Sequence, residues 1–279
     1  MPIVKFRKHL IASVSGGRSS AMMDILINRY RNRYKYRSVQ YVFANTGLEH
    51  PDTIKFLENL EKHLQKPIVK LEFINTCNTY DYSIVNCWED LNMSGEPFRQ
   101  AIQYAQTEKT SGLPHMFQPY CSSLMKKAII RKYAKDSLKT IKYAQAIGYR
   151  AEDMPKRISW AEVKENAPAY IYPLLTHYAQ PVNIPKLNKF WYNYDWRLPL
   201  PKELGNCVLC WKKSDKTISD ALSHSHSSVK TNVHFWRNAE NEFGNTSFRG
   251  RRGIDQMIRE HNAGLLNDAN NGDSCTCSF

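Results

Sequence analysis

Cys207 and Cys210 form a Cys-x-x-Cys pair, and Cys121 lies upstream in Tyr120-Cys121-Ser122-Ser123. Three thiols drawn from two places make a candidate site for sulfur chemistry or for a metal. Thiolates ligate structural zinc and iron–sulfur clusters, and a Cys-x-x-Cys pair is also a redox dithiol. A fourth thiol could come from Cys275 or Cys277 in the tail Asp273-Ser274-Cys275-Thr276-Cys277. Four thiolates fit a 4Fe–4S cluster or zinc, and three with an open iron position would suit sulfur transfer. Lys212 and Lys213 flank the pair and would favour its thiolate forms. The competing reading is a buried, inert Cys121 beside a free dithiol. Cys77 and Cys87 read as structural. The chain has seven cysteines, an odd number, and its first residues show no apolar leader, so a disulfide framework is not expected.

A second chemistry is suggested by Ser15-Gly16-Gly17-Arg18-Ser19-Ser20. Two glycines after a strand let the backbone turn so that successive amides face one anion, and a following helix adds its positive end. The run is neither a Walker A loop nor a GxGxxG fingerprint, and a purely structural glycine turn is the alternative. Arg150 and Arg157 are candidate forks for phosphate or sulfate, or else partners of Glu152 and Asp153 in ion pairs. Lys126 stands five residues past Cys121, where it could contact an anion or simply face solvent.

The elements that would position these residues alternate. His9–Val14 reads as a buried strand, followed by a helix with Met22, Ile25 and Leu26 on one face. Residues 39–44 form a second strand. Pro51 opens an amphipathic helix carrying Ile54, Leu57, Leu60 and Leu64. Residues 68–74 give a third strand, a helix is predicted from about Cys121 to Ser137, and residues 141–147 give a further strand ending at Gly148. This order predicts an α/β fold, a doubly wound, Rossmann-like parallel sheet. Residues 75–120 read as an irregular insertion at the sheet edge. The expected organisation is a nucleotide-binding core over 1–170 and a smaller cysteine-containing C-terminal region over 171–279, where prolines and aromatics become dense. His224 and His226 read as loop residues.

Five segments together resemble the phosphoadenosine phosphosulfate reductase family of PP-loop proteins, most closely its divergent phage and mobile-element members. They are residues 15–20, Asn45-Thr46-Gly47-Leu48-Glu49 with Pro51-Asp52-Thr53, residues 120–126, Gly148-Tyr149-Arg150-Ala151-Glu152 through Arg157, and Gly205-Asn206-Cys207 through Ser214. They run in family order from residue 15 to residue 214. The resemblance implies a phosphate loop at Ser15, Gly16, Gly17, Arg18, Ser19 and Ser20. It also implies a nucleotide crevice lined by Asn45, Thr46, Gly47, Glu49 and Gly148, and ATP or a related adenine nucleotide as cofactor. Lys126, Arg150, Arg157 and the tail cysteines become candidate catalytic groups, and Cys121, Cys207 and Cys210 candidate metal ligands. The sequence departs from ATP pyrophosphatases of this class at Ser19, where they carry Asp. It departs from sulfate-assimilation enzymes at its tail, which lacks their Glu-Cys-Gly-Leu-His.

Lys and Arg total 39 against 26 Asp and Glu, a formal net charge of +13. That balance points to a polyanionic partner, tRNA or DNA in the first instance. Trp191 and Tyr194 in an aromatic run could stack bases, and Arg249, Arg251 and Arg252 could hold phosphates; core packing and a solvated basic loop are the respective alternatives. No apolar run approaches the ~20 residues of a membrane span, so a cytoplasmic protein without membrane contact is expected. Three functions fit: a PP-loop enzyme doing ATP-dependent sulfur or adenylation chemistry on nucleic acid, with a sulfur donor; a thiol-dependent sulfonucleotide reductase served by a thioredoxin-like partner; and a DNA-acting enzyme gripping a flipped, modified nucleotide.

Overall fold

A computed structural model of the chain describes residues 7–77, 79–107, 112–115, 118–155, 157–165, 169–244, 248–249 and 252–266. Cys275, Cys277 and Arg251 lie outside them. The strands are β1 (His9–Val14), β2 (Ser38–Asn45), β3 (Ile68–Asn75), β4 (Tyr80–Val85), β5 (Ala144–Ala146) and β6 (Tyr170–Ile171). They form one sheet in the order β4-β3-β2-β1-β5-β6. All neighbours are parallel except β3 and β4.

The central strands are largely apolar because both faces are covered. On one face Leu10, Ala12 and Val14 of β1 pack with the helices Arg18–Arg29, Pro51–Leu64 and Ile184–Tyr192. On the other, Ile11, Val42 and Leu71 pack with the helix Glu96–Thr107, the helical segment 120–138, and the helices Asp215–Leu222, Ser227–Phe243 and Ile254–Asn262. Helices on both faces of a mainly parallel sheet are the expected doubly wound α/β arrangement. Residues beyond 171 contribute to both cores: Leu174, Val182, Leu187 and Trp191 to the first, Cys207 to Leu266 to the second.

The supposed irregular insertion contains β4, which returns antiparallel along β3 through a turn held by Thr76 and Thr79. Its residues Tyr80-Asp81-Tyr82-Ser83 are polar and partly exposed because the strand is a sheet edge. Among the described residues no helix is long and apolar enough to cross a membrane.

Two expectations about side chains are corrected here. Trp191 is fully buried and its indole N–H donates to the carbonyl of Arg18 at 3.0 Å. Tyr194 packs against Phe190, Trp191, Trp196 and His63. The aromatic run thus stitches the C-terminal segment onto the helices behind β1 and β2, and Trp191 offers no free face to a base. Cys77 and Cys87, read as structural, are exposed.

Candidate functional site

The chain runs from β1 to β2 and β3 on one side, then crosses back to β5 on the other, so the strand order reverses beside β1. Loops at such a switch point diverge and leave a crevice at the carboxyl ends of the strands. The loop after β1 turns at Gly16, whose φ is +75°, and Gly17 is the N-cap of the helix Arg18–Arg29. Glycine has no side chain to cap that helix, so its first-turn amides keep no acceptor of their own. Ser20 ties the loop internally: its hydroxyl accepts from the amide and hydroxyl of Ser15 and donates to the carbonyl of Gly17 at 2.9 Å. Gly16 lies against Thr53, whose hydroxyl is buried without a hydrogen-bond partner. Gly148, just past β5, closes the far side: a Cβ there would lie 3.1 Å from the backbone of Ser20.

Guanidinium groups gather at this loop. Burial pushes Arg18 below its ordinary range, and the nearby charges of Arg150 and Arg197 push it further the same way. Arg18 also donates to Asn188 at 3.1 Å. Asp153 lies between Arg150 (3.8 Å) and Arg157 (3.4 Å) and accepts from the Arg150 amide. The ion pairs weighed against a ligand role are therefore present. Asp153 orients both side chains and Glu152 lies 4.0 Å from Arg150, so two carboxylates face the four guanidinium groups of Arg18, Arg150, Arg157 and Arg197, an excess that an anion would neutralise. Arg197 and Asn188 were not identifiable from sequence, because they sit in the aromatic segment and reach the loop only through tertiary packing.

The loop after β2 leads to the thiols. Asn45 donates to Glu72 and to the carbonyl of Asn92, and caps Gly47. Glu49 is buried, and its carboxylate accepts from the Thr46 amide, the Thr46 hydroxyl (2.7 Å) and the Leu48 amide. Burial pushes the Glu49 acid up, while Lys126 and these hydrogen bonds hold it down. The Thr46 hydroxyl also lies 3.3 Å from the Cys207 sulfur.

Cys121, Cys207, Cys210 and Lys126 line one small pocket with Thr46, Ser122, Phe98, Trp211 and Trp236. Five residues apart on an α-helix, Cys121 and Lys126 would diverge by about 140°. The π-helical turn Ser123–Ala128 brings them to one side. Such turns recur at functional sites. Lys213 is buried and donates to the carbonyls of Glu203, Cys207 and Val208, so it shapes the Cys-x-x-Cys turn, whereas Lys212 bridges to Ser122 at 3.1 Å.

The thiols are neighbours, but among the described residues no three His, Cys, Asp or Glu side chains are arranged to hold a metal ion. Three thiols on one pocket are fewer than the four ligands of a closed zinc or cluster site, and Cys275 and Cys277 lie outside the described residues.

Arg249 and Arg252 do not form an open phosphate patch. Both bind buried Asp215, at 2.7 and 2.8 Å, and Arg249 also donates to the carbonyl of Lys213. Burial pushes Arg249 below its ordinary range, and the Asp215 carboxylate and Cys210 oppose that shift. Arg249 is thus a neighbour of the thiol pocket.

His50, between Glu49 and Thr53, accepts the Asp52 amide through Nδ1 at 3.1 Å, and His226 accepts the Ser228 amide in the same way. Their rings lie 4.1 Å apart. Each cap requires a neutral ring, since a protonated Nδ1 cannot accept. Burial lowers the His50 pKa, and the charges of His226 and His224 lower it further, against Asp52. With the folded-state pKa below the unfolded value, stability is full above about pH 6.5 and falls as pH drops toward the folded pKa. We expect His50→Asn, which keeps a capping acceptor, to flatten this acid loss. Urea midpoints across pH 5 to 8 provide the check, and an unchanged pH profile would count against it.

A glycine turn at the switch point of a doubly wound sheet, with arginines beside it, is the arrangement of a nucleotide-binding α/β protein of the PP-loop class. Residues 9–182 match the phosphoadenosine phosphosulfate reductase domain, and the chain belongs to that family. It is similar to the nin region protein ORF290 of Escherichia phage lambda, itself described as uncharacterized, with 26% identity over 262 residues, 89% of this chain and 83% of the relative. A solved structure, the U34-tRNA thiolase NcsA from Methanococcus maripaludis with its 4Fe–4S cluster, aligns over 94% of this chain and 74% of its own at 14% identity and a TM-score of 0.41.

Proposed function

We propose that this protein is an enzyme that binds ATP or a related adenine nucleotide on the loop Ser15–Ser20 and uses it to activate a group on nucleic acid. The target oxygen attacks the α-phosphorus and pyrophosphate leaves; the adenylated product is either final or a substrate for sulfur transfer. In the second case an external sulfane-sulfur donor leaves a persulfide on one thiol of the pocket; its outer sulfur displaces AMP, a second pocket thiol attacks the disulfide so formed and frees the thiolated product, and an external thiol reductant reduces the protein disulfide that is left. Arg18, Arg150 and Arg197 would hold the phosphates and the leaving group. The net charge of +13 supports a nucleic-acid partner.

One observation carries the link between nucleotide and thiol. Thr46 belongs to the crevice loop, yet its hydroxyl is 3.3 Å from the Cys207 sulfur and 2.7 Å from Glu49. The crevice loop and the thiol pocket therefore share a wall. The test is pyrophosphate release from ATP with and without tRNA or single-stranded DNA. Nucleic acid should stimulate release at least about ten-fold, a barrier change of about 1.4 kcal/mol. With a sulfur donor present, Cys207→Ser should keep that release and lose sulfur incorporation. No stimulation by any nucleic acid would sink the proposal.

The arginine cluster also favours a second reading, reduction of a sulfonucleotide by thiols with a thioredoxin-like protein restoring them. It requires sulfite release from the sulfonucleotide that is lost in Cys207→Ser or in tail-cysteine variants.

A further inference from the structure

We infer that the partly exposed sheet face at β5 and β6 is a binding groove for a single-stranded polynucleotide, leading to the phosphate loop. The inference rests on the nucleic-acid function proposed above and gives that partner a surface.

Alternation along β5 sets the floor. Ala144 and Ala146 are buried on one face, so Tyr143, Gln145 and Ile147 point to the other. On that other face the helix Ile129–Leu138 packs over β2, β3 and β4; beside β5, Ile147 and Tyr172 pack with Ile158 and Val163, while Tyr143, Gln145 and Tyr170 stay partly exposed. The result is a groove of about 500 Å³, within the ~300–1,000 Å³ typical of ligand sites. Tyr143 beside β5 and Tyr170 of β6 line it, Tyr170 being 40% exposed, while Tyr172 is buried at its edge. Tyr149 stacks on Tyr172 with ring planes within 5°.

Basic side chains outnumber acidic ones in the described lining of the groove. Lys127 and Arg131 extend from the helical segment 120–138, both exposed, and Arg157 and Arg7 border the groove from other segments. The Arg7 Nε is buried without a hydrogen-bond partner. The one acid in the lining, Glu162, is engaged: its carboxylate accepts from the amide and hydroxyl of Ser159 at 2.8 Å. Aromatic rings on a sheet floor, walled by basic side chains, match unpaired bases and the phosphates that join them. A duplex keeps its base faces stacked and cannot use the tyrosines. The groove is also continuous with the nucleotide site, because Ile147 and Tyr149 line it while Gly148 between them abuts Ser20. A strand lying here would present a nucleotide to the crevice.

The trial is fluorescence anisotropy with labelled single-stranded DNA and RNA of about 15 nucleotides, against a duplex, from about 50 to 200 mM salt. The full chain should bind a single strand more tightly than the duplex. Arg131→Glu and Tyr170→Ala should each weaken that binding at least about ten-fold, and Arg131→Ala should reduce the log–log salt slope by about one contact. Both positions are exposed, so adenine-nucleotide affinity and melting temperature should stay as in the parent. Lys216→Glu, on the helix Asp215–Leu222 outside the groove, should leave oligonucleotide binding unchanged. If the parent binds single strands and the groove variants bind them equally well, the groove is overturned while the proposed function stands. If the parent prefers duplex, the single-strand assignment is overturned. If the parent binds no nucleic acid even at low salt, the groove and the proposed function fall together.

Discussion

Gly16→Ala should weaken adenine-nucleotide binding by about 100-fold or more, equivalent to about 2.7 kcal/mol. Two costs fall on the same few atoms. The backbone at Gly16 has φ +75°, where an L side chain costs roughly 1–2 kcal/mol. The added Cβ would stand 2.5 Å from Thr53 Cγ2, closer than any real contact. Thr53 cannot easily yield, because it is buried in the first turn of the helix Pro51–Leu64. The loop itself must therefore retreat and re-aim the amides proposed to hold the phosphate. Gly17→Ala makes the contrast: its φ is −94°, and the nearest atom to a new Cβ is Ser15 Oγ at 3.6 Å. It should bind nearly as the parent does. Thr53→Ser removes the clashing methyl, so the double variant Gly16→Ala/Thr53→Ser should recover part of the loss and keep the part due to backbone strain. Titration calorimetry with ATP reads all four proteins. Parent-like affinity in Gly16→Ala would mean that the loop does not hold the nucleotide.

This loop was the most legible part of the sequence, for a physical reason. Strand, glycine turn and helix start are contiguous, and each leaves a local mark: apolar run, paired glycines, then 3.6-residue periodicity. β1, β2 and β3 and the helices after β1 and β2 were readable on the same ground. β4 was not, because an edge strand alternates weakly and Tyr80-Asp81-Tyr82-Ser83 looks like loop. The thiol pocket was half legible. Cys121 and the Cys207–Cys210 pair announce themselves, but the π-helical turn that brings Lys126 beside Cys121 leaves no clear composition signature. The aromatic run misled in the opposite direction. Trp191 and Tyr194 have the side chains of a stacking platform, and only the packing of Trp191 on the Arg18 carbonyl and Phe56 shows that they serve the core. Arg249 and Arg252 misled likewise, since their partner Asp215 lies more than thirty residues away. The groove at β5 and β6 was invisible for the same reason: its tyrosines and basic residues come from segments far apart in the chain.

Asp24→Asn should stabilise the fold, and the gain should grow with pH. Asp24 lies on the helix that carries the phosphate loop, with zero exposure, among Ala21, Met23, Ile25 and Ile27. Neither carboxylate oxygen has a hydrogen-bond partner. Desolvation alone therefore pushes its pKa well above the usual carboxylate range. The sign follows from proton binding. At about pH 3 and below, the acid is largely protonated in both states and the substitution should change little. As pH rises, the unfolded chain releases the proton while the folded chain keeps it, and stability falls by up to about 1.4 kcal/mol per pH unit until the folded-state pKa is passed. Asparagine has the same shape and never ionises, so it removes that slope. It still buries an unpaired amide, and the gain measures the charge term alone. Urea midpoints of the two proteins at pH 3, 6 and 8 should be close at the first value and diverge steadily thereafter. A constant offset would show that Asp24 finds a partner in solution, and a less stable Asn variant at pH 8 would show that its charge is used. Tyr41 offers an internal witness, because Asp24 is among the influences that raise its hydroxyl pKa, behind burial. The substitution should lower the Tyr41 pKa only slightly, since burial dominates it.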